Sequence, residues 1–217
     1  MKETDLGICL YCKEELNKND MEKHILTCNK PTQKINDDIY YLLVEGKYLP
    51  EYWLYLKVSS QTTLGELDSF LRDIWLECCG HLSCFIINKV RYASCPDYEF
   101  VSEEDMDYRI DSILKAGDSF LYEYDYGSTT ELKLKVLAVK DGSRGKKVVD
   151  LIARNLPITF KCSNCKRIAE YTCSECSYPE ETYFCEKCGV KHECGEEMLM
   201  PITNSPRSGV CGYTGKY

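Results

Sequence analysis

Along the middle of the chain, short aromatic and β-branched runs alternate with one stretch of helical period. DDIYYLLVEG and EYWLYLKVSS read as two strands, with Gly46 and Pro50 marking their connection. TTLGELDSFLRDIWLECCG then places Leu64, Leu67, Phe70 or Leu71, Ile74 and Trp75 on one face, which predicts an amphipathic helix. Thr63 and Glu66 make a capping-box pattern at its start, and Gly80 suits its stop. HLSCFIINKVRY returns as a strand. RIDSILKAGDSFLYEYDYG predicts a short helical turn, a Lys-Ala-Gly-Asp turn and a further strand. In ELKLKVLAVKDG, Leu132, Leu134, Val136 and Ala138 alternate with Glu131, Lys133 and Lys135, as in a half-buried last strand. The order strand–strand–helix–strand–turn–strand–strand predicts an α+β fold: a β-grasp-like central domain over 36–141, its curled sheet wrapped around one main helix.

The pattern breaks at both ends, where cysteines replace the apolar periodicity. In ICLYCKEELNKNDMEKHILTCNK, Cys9 and Cys12 suit a knuckle, and Asp20 an N-cap for a helix over 21–28. That helix brings His24 and Cys28, at i and i+4, to one face, with Leu16, Ile25 and Leu26 as a minimal core. This is the plan of a small zinc-finger-like module, 1–32, too small to fold without its metal. KDGSRGKK at 140–147 is a polar, basic turn and a reasonable boundary.

Residues 160–194, FKCSNCKRIAEYTCSECSYPEETYFCEKCGVKHEC, hold four ligand pairs: Cys162/Cys165, Cys173/Cys176, Cys185/Cys188 and His192/Cys194. Taken in sequence, the last site would have to wrap its ion with residues 185–194 alone. Taken alternately, both intervals match two-knuckle zinc sites. A cross-brace follows, with Cys162, Cys165, Cys185 and Cys188 at one zinc and Cys173, Cys176, His192 and Cys194 at the other. The ligand order is similar to that of B-box, MYND and RING modules. The tail EEMLMPITNSPRSGVCGYTGKY, with its prolines and glycines, predicts an extended path that closes a module over 148–217. Cys211 is a spare ligand, a substitute if His192 and Cys194 do not both reach one ion. Cys78, Cys79, Cys84 and Cys95 lack ligand spacing and read as small apolar residues, and His81 as a boundary histidine.

Fifteen cysteines in 217 residues admit two explanations, disulfides or metal. The start, MKETDLGICLYCKEEL, lacks a signal-peptide core, and no run approaches eighteen apolar residues, so the expectation is a cytoplasmic protein outside the membrane. There the C-x-x-C pairs are metal ligands, and three Zn(II) ions are expected. Dithiol exchange also uses this spacing, but such motifs stand alone in larger folds rather than in a run of three. Four-ligand sites leave no position for an activated water, which turns the reading away from an enzyme. Asp125 in YEYDYG admits an acid/base or cation role with the acidic stretch 97–107, but no second catalytic group stands beside it. It reads better as a turn aspartate.

The formal net charge is −8, the wrong sign for a nucleic-acid binder. Between Cys12 and His24, Lys13, Lys18 and Lys23 face Glu14, Glu15, Asp20 and Glu22, so the first module offers phosphates little attraction. Protein is the expected partner.

YYLLVEG, TTLGELDSFLRDIWL, HLSCFIINKVRY, ILKAGDSFLYEYDYG and LKLKVLAV together resemble the plasmid pRiA ORF-three-like family, passenger proteins of mobile elements. The resemblance spans roughly residues 38–140 and is most specific from Gly117 to Gly127. It implies a compact α+β domain of unassigned activity, and it supplies the alternative function, nucleic-acid binding linked to mobile elements. Many members follow the YDYG-like motif with acidic residues, a Trp and a His. Here Ser128, Thr129, Thr130 and Glu131 stand instead, so no chemistry of that His carries over. The expectation from the residues is a zinc-binding, non-catalytic interaction or adaptor protein.

Overall fold

The runs YYLLV and WLYLKV are too continuous for a sheet with one wet face, and the structure covers both faces. The computed structural model describes residues 5–28, 35–97, 102–144, 146–176 and 182–215; Glu99 of the acidic stretch lies outside them. The chain divides into two compact units, Met1–Leu71 with Leu82–Leu156, and Arg72–His81 with Pro157–Tyr217. Among the described residues no helix is long and apolar enough to cross a membrane.

The first unit contains β1 (Leu6–Cys9), β2 (Glu15–Asn17), α1 (Lys18–Ile25), β3 (Ile35–Gly46), β4 (Trp53–Ser59), α2 (Leu64–Leu71), β5 (Ser83–Ile87), β6 (Val90–Ala93), β7 (Glu103–Glu104), α3 (Ile110–Ile113), β8 (Ser119–Tyr124), β9 (Thr130–Arg144) and β10 (Val149–Asn155). Among the described residues its ten strands form one mixed sheet in the order β2-β1-β10-β4-β3-β9-β8-β5-β6-β7. The α+β class stands, with a sheet that is large and recruits strands from outside the expected central segment.

Register explains the two covered faces, because residues directly opposite share a side. Val136 opposes Leu42, Leu134 opposes Val44 and Phe120, and Leu132 opposes Tyr122. This row is buried on the side where α2 is fixed: Asp68 of α2 accepts hydrogen bonds from Tyr122 Oη and Ser83 Oγ, both at 2.6 Å. On the opposite side Ile39, Tyr41, Leu43, Trp53, Tyr55 and Ile152 pack with Met21 and Ile25 of α1 and with Cys9. The N-terminal segment is therefore the second cover of the sheet.

Several expected elements shift for local reasons. Thr63 and Glu66 do form the capping box: Thr63 N donates to Glu66 Oε2 at 2.9 Å, and Glu66 N to Thr63 Oγ1 at 3.2 Å. Leu71, not Phe70, takes the buried position. The α-helix stops at Leu71 and continues as a π-helical turn, Arg72–Leu76. HLSCFIINKVRY is a hairpin rather than one strand, turning at Asn88 and Lys89, both with positive φ. In β9 an extra residue between the partners of Tyr41 and Leu42 forms a bulge. The bulge turns Ala138 to the α1 side, off the face of Val136 that simple alternation assigns to it. The stretch from Lys140, read as a turn, stays extended to Arg144, pairing with Ile35–Ile39. Asn17, not Asp20, caps α1, its side chain accepting from Asp20 N at 3.0 Å, so the helix begins a turn early.

The second unit holds β11 (Tyr171–Cys173), β12 (Tyr183–Phe184), α4 (Glu186–Gly189) and β13 (Leu199–Pro201), with strand order β12-β11-β13. The tail runs back to the π-helical turn: Trp75 Nε1 donates to Asn204 O at 3.0 Å, and Ser205 Oγ to Trp75 O at 2.6 Å.

Candidate metal centres

A tetrahedral zinc with Zn–S bonds of about 2.3 Å holds its sulfurs about 3.8 Å apart, and a sulfur and an imidazole nitrogen about 3.6 Å apart. A disulfide would bring two sulfurs to about 2.05 Å. The cysteine clusters follow the first spacing. In each of four groups, the four donor atoms lie within 4.8 Å of one another, as metal binding requires.

The first group is Cys9, Cys12, His24 and Cys28. Cys9 ends β1, and Lys13 at φ 69° turns the chain so that Lys13 N bonds Cys9 O at 2.8 Å. This knuckle aims both sulfurs at α1. Cys9 and Cys28 sulfurs are 3.8 Å apart, and Cys12 Sγ lies 3.3 Å from His24 Nε2. Glu14 Oε2 stands 3.5 Å from His24 Nδ1 and orients the ring with Nε2 toward the cluster. Burial, with hydrogen bonds to Cys9 and Cys12, pushes the Cys28 thiol up to about 12, while a backbone hydrogen bond near Glu14 pulls Cys12 down. A bound divalent ion would deprotonate all three thiols.

The second group is Cys162, Cys165, Cys185 and Cys188, the first and third pairs of the C-terminal run. A second knuckle, with Lys166 at φ 62°, presents Cys162 and Cys165. Cys185 is the N-cap of α4, whose single turn carries Cys188. Cys165 and Cys185 sulfurs are 3.6 Å apart. Arg167 donates Nε to Cys165 Sγ at 3.3 Å and Nη2 to Cys185 Sγ at 3.5 Å, pulling the Cys165 thiol down to about 6. With a divalent ion bound, its guanidinium would offset the excess charge of four thiolates, a role that the adjacent KCSNCKR leaves readable but the ligand pattern alone does not flag.

The third group is Cys173, Cys176, His192 and Cys194, the second and fourth pairs. Cys176 Sγ is 3.4 Å from both His192 Nε2 and Cys194 Sγ. The Phe184 ring packs against the His192 ring, centroids 4.3 Å apart and tilted by 34°.

The fourth group, Cys78, Cys79, His81 and Cys211, gathers two cysteines expected as small apolar residues, a histidine expected at a boundary and the spare ligand, and Cys79 is exposed rather than packed. Cys211 stands with these residues rather than near His192 and Cys194. Its sulfur is 3.9 Å from Cys79 Sγ and 3.5 Å from His81 Nε2. Arg207, fully buried, donates Nη2 to Cys78 Sγ at 3.5 Å, repeating the guanidinium–sulfur contact of the second group. The ligands are separated by 130 residues of chain, so no spacing rule flags them.

The model of the plasmid pRiA4b ORF-3-like proteins matches residues 44–157, more than half of the chain. The chain belongs to this family. Its match runs from within β3 through β10, beginning later and ending farther along than the 38–140 span of the resemblance. No curated protein matches the chain. A crystal structure of a protein of unknown function from Methanosarcina mazei Go1, MM3350, is similar at 18% identity and a TM-score of 0.45, over 56% of this chain and 70% of that one.

In this pRiA4b ORF-3-like chain the first three clusters lie wholly outside the matched span, and the fourth lies partly within it. Family membership thus does not account for the first three clusters; their donor geometry is what makes them candidate metal sites. Asp125, within the matched span, has φ 67° and is buried. Its Oδ1 accepts from Gly127 N at 3.0 Å and Ser128 N at 3.2 Å, an aspartate closing a turn.

Proposed function

We propose that this chain is a zinc-binding, non-catalytic interaction protein, with three structural zinc ions at the Cys9, Cys162 and Cys173 groups. The observation that carries the reading is the donor set: four ligands per site, at tetrahedral spacing, leaving no position for an activated water. Borderline-soft sulfur and imidazole donors suit zinc over calcium or magnesium. Such sites hold surfaces in place rather than perform chemistry. A reducing, cytoplasmic setting keeps the thiols available. The β-grasp-like reading of the central segment stays part of this proposal, on its strand–strand–helix order.

The partner is a protein. Beside the second cluster a cleft of about 570 Å³ is lined by Lys166, Arg167, Ile168, Glu170, Glu186 and Lys187. Ile168 is 67% exposed among these mixed charges, the make-up of a protein contact more than of a phosphate groove. Elemental analysis tests the metal half: Cys12→Ser, Cys165→Ser and Cys176→Ser should each remove one zinc per chain. Native affinity capture with wild type and Ile168→Glu tests the other half. Loss of a nuclease-resistant partner in the variant is expected. Capture of nucleic acid alone, or identical capture by both proteins, would overturn the adaptor reading.

A further inference from the structure

We propose that Cys78, Cys79, His81 and Cys211 form a fourth zinc site, which fastens the C-terminal tail to the turn following the π-helical segment. Three sulfurs and one imidazole converge here within 4.8 Å. The 3.9 Å and 3.5 Å separations about Cys211 match a tetrahedral S₃N site and are far too long for a disulfide. The backbone is shaped for this convergence on both sides. Gly80, at φ 72°, reverses the chain between Cys79 and His81, and Gly80 N is held by Glu77 Oε1 at 2.6 Å. Cys211 takes a left-handed φ of 54°, a conformation costly for a residue with a side chain and one that brings its sulfur to the cluster. Arg207 is fully buried with its guanidinium on Cys78 Sγ, a contact that suits a thiolate better than a thiol.

This site differs from the other three in one respect. Each of those contains at least one buried cysteine, whereas here Cys79 and Cys211 are exposed and Cys78 and His81 only half-buried. Solvent and competing ligands reach this ion directly, so the fourth zinc leaves first.

The test compares zinc per chain in full-length wild type, Cys211→Ser and His81→Ala, each purified without added metal and checked by circular dichroism. The difference between wild type and either variant should be one zinc. It is independent of whether the other three sites fill, so its outcome is separable from that of the preceding proposal. A chromogenic chelator should withdraw one zinc from wild type in a fast phase that both variants lack. If a variant fails to fold, Cys79→Ser at another exposed ligand serves in its place. Equal zinc in wild type and folded variants would overturn the site. So would a thiol titration of the denatured protein that finds two thiols missing through a Cys79–Cys211 disulfide.

Discussion

Two regions of this protein gather cysteines and a histidine at the same spacing, yet the chain around them differs. The N-terminal cluster sits on a sheet. Its β1 is hydrogen-bonded to β10, and Met21 and Ile25 beside it are buried against Trp53, Tyr55 and Ile152. Among the described residues, the strands of the second unit are two or three residues long, and its buried apolar side chains are Trp75, Leu76, Ala169, Phe184, Pro206 and Tyr213, with Cys162, Cys173 and Cys185 beside them. There the ligands themselves are core residues. In the first case a bound metal would trim an edge that apolar burial already secures; in the second it would substitute for the core that a small unit lacks.

Metal removal is the strongest way to break that contrast. A zinc site in a small module is worth about 10–16 kcal/mol of folding free energy, more than the second unit can replace. Hydrogen exchange after strong chelation should show residues 157–215 losing protection while β3, β4 and β9 keep theirs. Simultaneous loss in both units would abolish the distinction. Trp53→Ala probes the other side. Trp53 is fully buried and edge-on to Tyr55 at 5.3 Å, and its loss should cost the first unit about 3–5 kcal/mol in urea unfolding. Zinc at the Cys162 and Cys173 groups should be unaffected.

Gly7→Ala sharpens how closely the N-terminal segment is fitted to the sheet. A Cβ at Gly7 would lie 2.1 Å from Trp53 Cη2 and 2.4 Å from Arg154 O. Neither a buried indole nor a strand carbonyl can yield cheaply. A cost of about 1–3 kcal/mol in the thermal unfolding of the first unit is expected, as for overpacked cores. A neutral result would mean that β1 is only loosely attached.

How much of this was legible depended on the range of the signal. The α+β class, the capping box at Thr63 and the turn role of Asp125 rest on residues within a few positions of one another, and the chain displays them directly. The four ligand pairs of the C-terminal run could be paired by chain-length reasoning alone, and the structure gathers them in the same alternation. The bulge that turns Ala138, the ten-strand extent of the sheet and the meeting of Cys211 with Cys78 depend on partners over a hundred residues away or across a strand. YYLLV and WLYLKV are apolar on both faces, which already demanded a second cover, and the N-terminal segment supplies it.

Two smaller effects test whether the first unit behaves as an ordinary core. Thr63→Ala removes the cap of α2 and should cost about 1 kcal/mol, seen as a shifted urea midpoint with unchanged slope. Cys84 offers the finest test, being a cysteine of the sheet outside all four clusters. It is fully buried on β5, and burial pushes its thiol up to about 11 from an ordinary value of 9.0. Because the folded state favours the neutral form, the stabilisation is fully present below about 9 and is lost as pH rises toward about 11. Alkylation at pH 8 followed by peptide mass spectrometry should therefore modify exposed Cys95 and spare Cys84 until the protein is denatured. Equal labelling of the two at pH 8 would mean that this part of the sheet opens readily. The contrast between an apolar core and a sulfur-held one would then fail at the place where it should be clearest.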